Sequence, residues 1–148
     1  MYSERLLDHF IHPRSVGRLE DANGVGIIGD PSCGDFLCIY IKVENMTIVD
    51  ISFLCKGCPA SIASASATVE IAKGRLLEEA ILLKPEDIVV YLGGMPEDKL
   101  HCSNLGIAAL HYAIANYLGL IAYEDSDGNR IGNPGQILDN RLEGQDNE

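Results

Sequence analysis

Positive charge is scarce in this chain: 11 Lys and Arg stand against 22 Asp and Glu in 148 residues, a formal net charge of -11. That shortage disfavours sequence-independent attraction to nucleic acid or anionic lipid, because phosphate binding is driven by Lys and Arg releasing counterions. Long apolar runs are missing too. No stretch approaches the roughly 20 apolar residues of a membrane span, and the start, Met1-Tyr2-Ser3-Glu4-Arg5-Leu6-Leu7-Asp8, has neither the basic lead nor the apolar run of a secretory signal. A cytoplasmic protein is expected, with proteins or cations as partners and no nucleic acid or membrane. An even set of cysteines is also lacking, since there are five. In a reducing compartment thiols stay free, which turns the expectation from structural disulfides toward metal binding or sulfur chemistry.

The length fits one domain with one core. Ser3 to His12 carries Leu6, Leu7, Phe10 and Ile11 at helical spacing behind a Ser3 cap, and Pro13 stops the helix. A brief strand follows from Gly24 to a turn at Asp30-Pro31, directly before Cys33. Leu37, Ile39, Ile41 and Val43 alternate with polar neighbours, and after Glu44-Asn45-Met46 so do Val49, Ile51 and Phe53. This pattern predicts a hairpin with one buried face.

Pro59 suits the first turn of a helix running from Ala60 to Lys73, and Gly74 suits its end. That helix is mostly Ala and Ser, so it can approach neighbouring backbone closely. Short helices are expected at Leu76 to Leu83 and Pro85 to Leu92, and a long one over about Ser103 to Leu118. From Ile121 onward seven acidic residues face two basic ones without an apolar period, which predicts a mobile acidic tail over 121–148 after a domain of 1–120. The fragment Asp125-Ser126-Asp127-Gly128 lacks the flanking ligands of a calcium loop.

Three segments each place a thiol beside a turn or helix start: Ser32-Cys33-Gly34-Asp35, Gly57-Cys58-Pro59 and Leu100-His101-Cys102-Ser103. A helix N-terminus favours the thiolate, the form that binds metal or accepts sulfur. Soft thiolates select zinc, copper(I) or iron–sulfur centres, His101 adds a borderline nitrogen and Asp35 a harder oxygen. A permanent electron-transfer cluster is usually held by four thiolates, so three with an exchangeable fourth ligand favour a carrier that releases its cargo. Cys55 is in phase with the apolar residues of its strand and is expected to pack, although Cys55-Lys56-Gly57-Cys58 has the spacing of a thiol oxidoreductase. Cys38 is expected on the opposite, wetter face. His9, His12 and His111 have no cysteine beside them.

Taken in order, Tyr2-Ser3-Glu4, Asp8-His9-Phe10, Pro13-Arg14, Val16-Gly17, Cys33-Gly34-Asp35, Gly57-Cys58, Ser61-Ile62-Ala63-Ser64, Lys73-Gly74 and Lys99-Leu100-His101-Cys102-Ser103 resemble the U-type iron–sulfur cluster assembly scaffolds, IscU and the N-terminal domain of NifU. The resemblance spans Tyr2 to about Leu118. It implies an α+β fold, a small antiparallel sheet of about three strands packed by several helices. It implies a scaffold rather than a turnover enzyme, on which Cys33, Cys58 and Cys102 receive sulfur and iron while Asp35 and His101 serve as labile ligands. A cysteine desulfurase would supply sulfur, other donors iron and electrons, and a transient 2Fe-2S cluster would pass to apo acceptor proteins. Zinc can occupy such a site, so a zinc-binding sulfurtransferase accepting persulfide at Cys102 or Cys58 is the alternative. The family's chaperone-recognition segment, Leu-Pro-Pro-Val-Lys, reads Met95-Pro96-Glu97-Asp98-Lys99 here. Met95, Pro96 and Lys99 are what remains for an Hsp70-type chaperone pair to recognise, and that departure weakens the expectation of chaperone docking.

Overall fold

The computed structural model describes residues 2–29 and 36–122. Cys33 and Asp35, with the expected tail beyond Ala122, lie outside the described residues. The order of elements is α1 (Glu4–Ile11), β1 (Gly24–Gly29), β2 (Phe36–Glu44), β3 (Thr47–Lys56), α2 (Pro59–Ala72), α3 (Leu77–Ile81), α4 (Pro85–Tyr91), a single 3-10 turn (Glu97–Lys99) and α5 (His101–Tyr117). The three strands form one antiparallel sheet in the order β1-β2-β3. This is the α+β architecture that the resemblance implies.

Local chemistry sets most of these bounds. The Ser3 hydroxyl accepts the Leu6 N–H at 3.0 Å and caps α1. Asn45 and Met46 both adopt positive φ, the backbone that a tight two-residue hairpin needs between β2 and β3. Pro59 occupies the first turn of α2, and Gly74, at φ +85, follows its end.

The main core lies between the sheet and the helices. Leu37, Ile39, Ile41 and Val43 of β2 meet Ile48, Ile51 and Phe53 of β3 there, under Ala63, Ala67 and Val69 of α2 and Leu110 and Ile114 of α5. Small residues let these layers close. A Cβ on Gly26 would stand 2.0 Å from the Ala109 carbonyl oxygen, so α5 rests directly on the β1 backbone. A Cβ on Gly106 would meet Thr68 Oγ1 at 2.6 Å, so the Thr68 side chain of α2 packs directly onto the α5 backbone.

The hairpin departs from its expected alternation. Lys42 pairs with Asp50 but Val43 pairs with Ile48, so Val49 is an extra residue on β3. The bulge turns Val49 outward, to 40% exposure, and puts Ile48 in the core instead. The sheet also has two buried faces. The chain at Ser15–Gly17 runs along the free edge of β3, with Gly17 N–H donating to the Phe53 carbonyl at 2.9 Å and Phe53 N–H to that of Ser15 at 3.0 Å. Leu19 and Ala22 then cover a second cluster of Val25, Ile27, Phe36, Cys38 and Tyr40. Cys38 is therefore fully buried, which corrects its expected placement on a wet face.

The N-terminal helix is held by polar contacts as well as by Leu6. Ser66 Oγ accepts the Arg14 N–H at 2.9 Å and is hydrogen-bonded to His9 Nδ1, 2.8 Å away. His9 Nε2 then faces Glu70 at 3.3 Å, and Tyr91 O–H donates to the same carboxylate at 2.7 Å. Burial pushes the His9 imidazole down from its ordinary value, and the nearby Arg14 charge adds to that.

Candidate functional site

All three strands end at one edge of the sheet. Ile28 and Gly29 leave β1 there, Phe36 and Leu37 begin β2, and Cys55 and Lys56 finish β3. The starts of α2 and α5 meet this edge. Together these ends enclose a cavity of about 390 Å³, lined also by Cys58, Ser61, Lys99, His101 and Leu105.

Cys58 is the N-cap of α2, in extended backbone, and its carbonyl accepts the N–H groups of Ser61 and Ile62 at 3.0 and 3.1 Å. Its thiol thus stands at the positive end of a fourteen-residue helix. Cys102 enters from α5. That helix starts at His101, two residues earlier than expected, because the 3-10 turn at Glu97–Lys99 leads straight into it. Cys102 therefore belongs to the first turn of α5 instead of preceding it.

The two sulfurs are 3.8 Å apart. Ser61 Oγ bridges them, 3.3 Å from Cys58 Sγ and 3.4 Å from Cys102 Sγ, with its one proton available to either sulfur. His101 is exposed, with Nε2 3.7 Å from the Cys102 sulfur. Cys58, Cys102 and His101, expected from sequence as metal-site residues, are thus brought together. Among the described residues no group of three or more His, Cys, Asp and Glu forms a metal-holding cluster by itself. Cys55, half-buried, packs against the main core yet also lines the cavity.

The thiols differ in character. Burial pushes the Cys58 thiol up, but hydrogen bonds from the Ser61 side chain and N–H, from Cys102 and from the Ala60 N–H outweigh it, so its net shift is downward. Burial pushes Cys102 up, and the Cys58 charge beside it adds to this against the hydrogen bond from Ser61 and the attraction of the Lys99 ammonium. Cys58 is the readier thiolate and Cys102 the readier thiol. A thiolate next to a protonated partner is equipped for nucleophilic sulfur chemistry and for binding soft metal.

A profile of the NifU-like N terminal domain matches residues 1–123. The chain belongs to the NifU-like N-terminal domain family. Within this family it is 50% identical over 117 residues to the iron-sulfur cluster assembly scaffold protein IscU 1 of Archaeoglobus fulgidus, covering 79% of this chain and 76% of that one. It is 50% identical over 119 residues to the scaffold protein IscU of Aquifex aeolicus, with the same coverages. The nitrogen fixation protein NifU of Azotobacter chroococcum is 42% identical over 120 residues, which are 80% of this chain and 39% of NifU. In fold, this NifU-like chain is similar to a crystal structure described as an iron-sulfur cluster assembly scaffold protein for the SUF system from Fervidobacterium islandicum AW-1, with TM-score 0.60, 24% identity and coverage of 76% and 96% of the two chains.

Ser61 and Lys56 were not singled out from sequence as site residues, and Lys99 was singled out only for chaperone recognition, not for the thiol cavity. Ser61 had a usable signal: three residues after an N-cap cysteine, it lies on the same helix face as the thiol. That Lys56 and Lys99 line the same cavity depends on the end of β3 and the 3-10 turn reaching one space, which no local pattern reports. Of the residues expected for chaperone recognition, Met95 packs against the main core, Pro96 caps the 3-10 turn and Lys99 lines the thiol cavity.

Proposed function

We propose that this NifU-like chain is a scaffold on which a 2Fe-2S cluster is built from iron and desulfurase-derived sulfur and then handed to acceptor proteins. The observation that carries this reading is the Cys58–Cys102 pair, two free thiols 3.8 Å apart with a hydroxyl between them and an imidazole beside them, Cys58 lining the cavity and Cys102 buried behind it. The relatives from Archaeoglobus fulgidus and Aquifex aeolicus, iron-sulfur cluster assembly scaffold proteins, support the same role.

Chain topology supplies a reason to add Cys33 and Asp35. Both fall in the six-residue connection 30–35 that leaves the sheet at Gly29 and returns at Phe36, two residues that pair with each other and line the cavity. Cys33, Cys58 and Cys102 then serve as thiolate ligands and sulfur acceptors, and Asp35 and His101 as exchangeable ligands. Three thiolates with a weak fourth ligand hold a cluster loosely enough to release it. Sulfur is loaded when the outer sulfur of a donor persulfide is attacked by a cysteine of the site. The donor's S–S bond breaks, a new one forms, and the donor departs as a thiol.

Cluster handover tests this directly. With reconstituted cluster and an apo-ferredoxin acceptor, Asp35→Ala is expected to slow transfer and prolong the life of the cluster on the scaffold. Equal transfer rates with and without Asp35 would remove it from the ligand set. Metal analysis after anaerobic purification tests the zinc-binding sulfurtransferase: stoichiometric zinc in a chain that accepts sulfur yet builds no cluster would favour it.

A further inference from the structure

Among the described residues, the cavity beside Cys58 is charged opposite to the chain as a whole. Among the described residues lining it, the formally charged side chains are Lys56 and Lys99, with no carboxylate, in a chain of net charge -11. Both come from fixed points of the fold. Lys56 is the last residue of β3, in register with Phe36, and Lys99 is the last residue of the 3-10 turn that launches α5. Among the described residues neither lysine has a carboxylate within ion-pair distance, whereas Lys73 is held by Asp50 at 3.7 Å and Arg14 by Asp8 at 2.6 Å. Two lysines without a carboxylate partner among the described residues therefore line the same half-enclosed space as Cys58, His101 and Ser61.

We infer that Lys56 and Lys99 form a cationic collar that selects anionic sulfur species for the Cys58–Cys102 pair and lowers the repulsion between an incoming anion and the Cys58 sulfur. This rests on the reading of the pair as a sulfur acceptor and specifies its substrate class: a persulfide anion presented on a protein or small thiol, rather than a neutral disulfide or a cationic thiol. Sulfur transfer needs such help because its two reactants are alike in charge. In the balanced step, a donor persulfide anion meets the Cys58 thiol–thiolate pool. The donor's S–S bond breaks with its electron pair leaving on the donor sulfur as a thiolate, a new S–S bond forms at Cys58 Sγ, and the thiol proton ends on the new persulfide. No outside oxidant enters. A confined cavity lined by one sign of charge raises both the local concentration of counter-ions and their rate of arrival, by factors of about 10 to 1000 in favourable cases.

The test uses the full-length metal-free chain and two disulfide probes of different charge, the dianionic 5,5′-dithiobis(2-nitrobenzoate) and the neutral 4,4′-dithiodipyridine. Each reacts by thiolate attack on its S–S bond with release of an aromatic thiol, and mass spectrometry of quenched digests assigns the rate at Cys58. The ratio of anionic to neutral rates is expected to fall about tenfold in Lys56→Gln/Lys99→Gln, to stay near the original in Lys56→Arg/Lys99→Arg, and to collapse in high salt. A ratio unchanged by the glutamine pair, or lost equally in the arginine pair, overturns the collar. Because the ratio is read without iron, a chain that builds no cluster but keeps the charge preference loses the scaffold reading alone, and a chain that builds cluster with no preference loses the collar alone.

Discussion

Cys58 and Cys102 lie 44 positions apart in the chain, yet their sulfurs stand 3.8 Å apart across the first turns of two different helices. Ser61 Oγ lies between them. The fold thus uses helix starts twice, once from β3 into α2 and once from the 3-10 turn into α5, to bring together two thiols whose proton affinities shift in opposite directions.

Removing the bridging hydroxyl should disturb that asymmetry. Ser61→Ala deletes the hydroxyl that contacts both sulfurs while α2 keeps its buried face, so the pH midpoint for alkylation of Cys58 by iodoacetamide should move upward. Ser61→Thr, which keeps the hydroxyl, should leave it near the original. An unchanged midpoint in Ser61→Ala would show that the helix terminus alone sets the Cys58 charge.

Cys38 should be protected in the native state. It is fully buried beneath Leu19 and Ala22, whereas Cys58 is half-buried at an open cavity. Maleimide labelling resolved by peptide mapping should modify Cys38 slower than Cys58 by roughly a hundredfold or more, with protection lost through the unfolding transition in urea. Comparable native rates would mean that the chain at Ser15–Ala22 opens readily.

Gly26→Ala should be strongly destabilising. The added methyl would stand 2.0 Å from the Ala109 carbonyl oxygen and 2.5 Å from the Ala113 nitrogen, both backbone atoms of α5 that cannot swing aside. Overpacking of this kind costs about 3 kcal/mol or more, readable as a lower urea midpoint. A loss below the noise of that measurement would show that α5 shifts freely on β1.

Stability should depend on His9 at mildly acidic pH. Burial lowers its folded proton affinity below the reference value of 6.5, so the unfolded chain binds the proton more readily. Its contribution is complete above about pH 6.5 and is lost as pH falls below that value toward the depressed folded pKa. Urea midpoints measured between neutral pH and pH 5 should decline, and decline less in His9→Gln. Parallel declines in both proteins would locate the pH effect elsewhere.

The elements that local chemistry controls were legible in the sequence. Ser3 caps α1, Pro59 opens α2 and Gly74 follows it at positive φ, so those bounds fall where residue types place them. Two of the three thiol segments were visible for the same reason, and the structure brings Cys58, Cys102 and His101 together; the segment with Cys33 and Asp35 lies outside the described residues. What escaped depended on contacts between distant segments. The bulge at Val49 is set by how β2 and β3 pair, the burial of Cys38 by a loop crossing the second sheet face, and the early start of α5 by a 3-10 turn with no periodic signature. The lysine pair at the cavity is of this second kind.

Anaerobic reconstitution of the full-length chain with a cysteine desulfurase, L-cysteine, ferrous iron and a reductant is the decisive measurement, followed by visible absorption and counting of iron and acid-labile sulfide. The chain should develop sulfide-to-iron charge-transfer bands at 2Fe-2S stoichiometry, and Cys58→Ala and Cys102→Ala should each fail to do so. A wild-type chain that takes up sulfane sulfur while holding zinc, and develops no such bands, would contradict the scaffold.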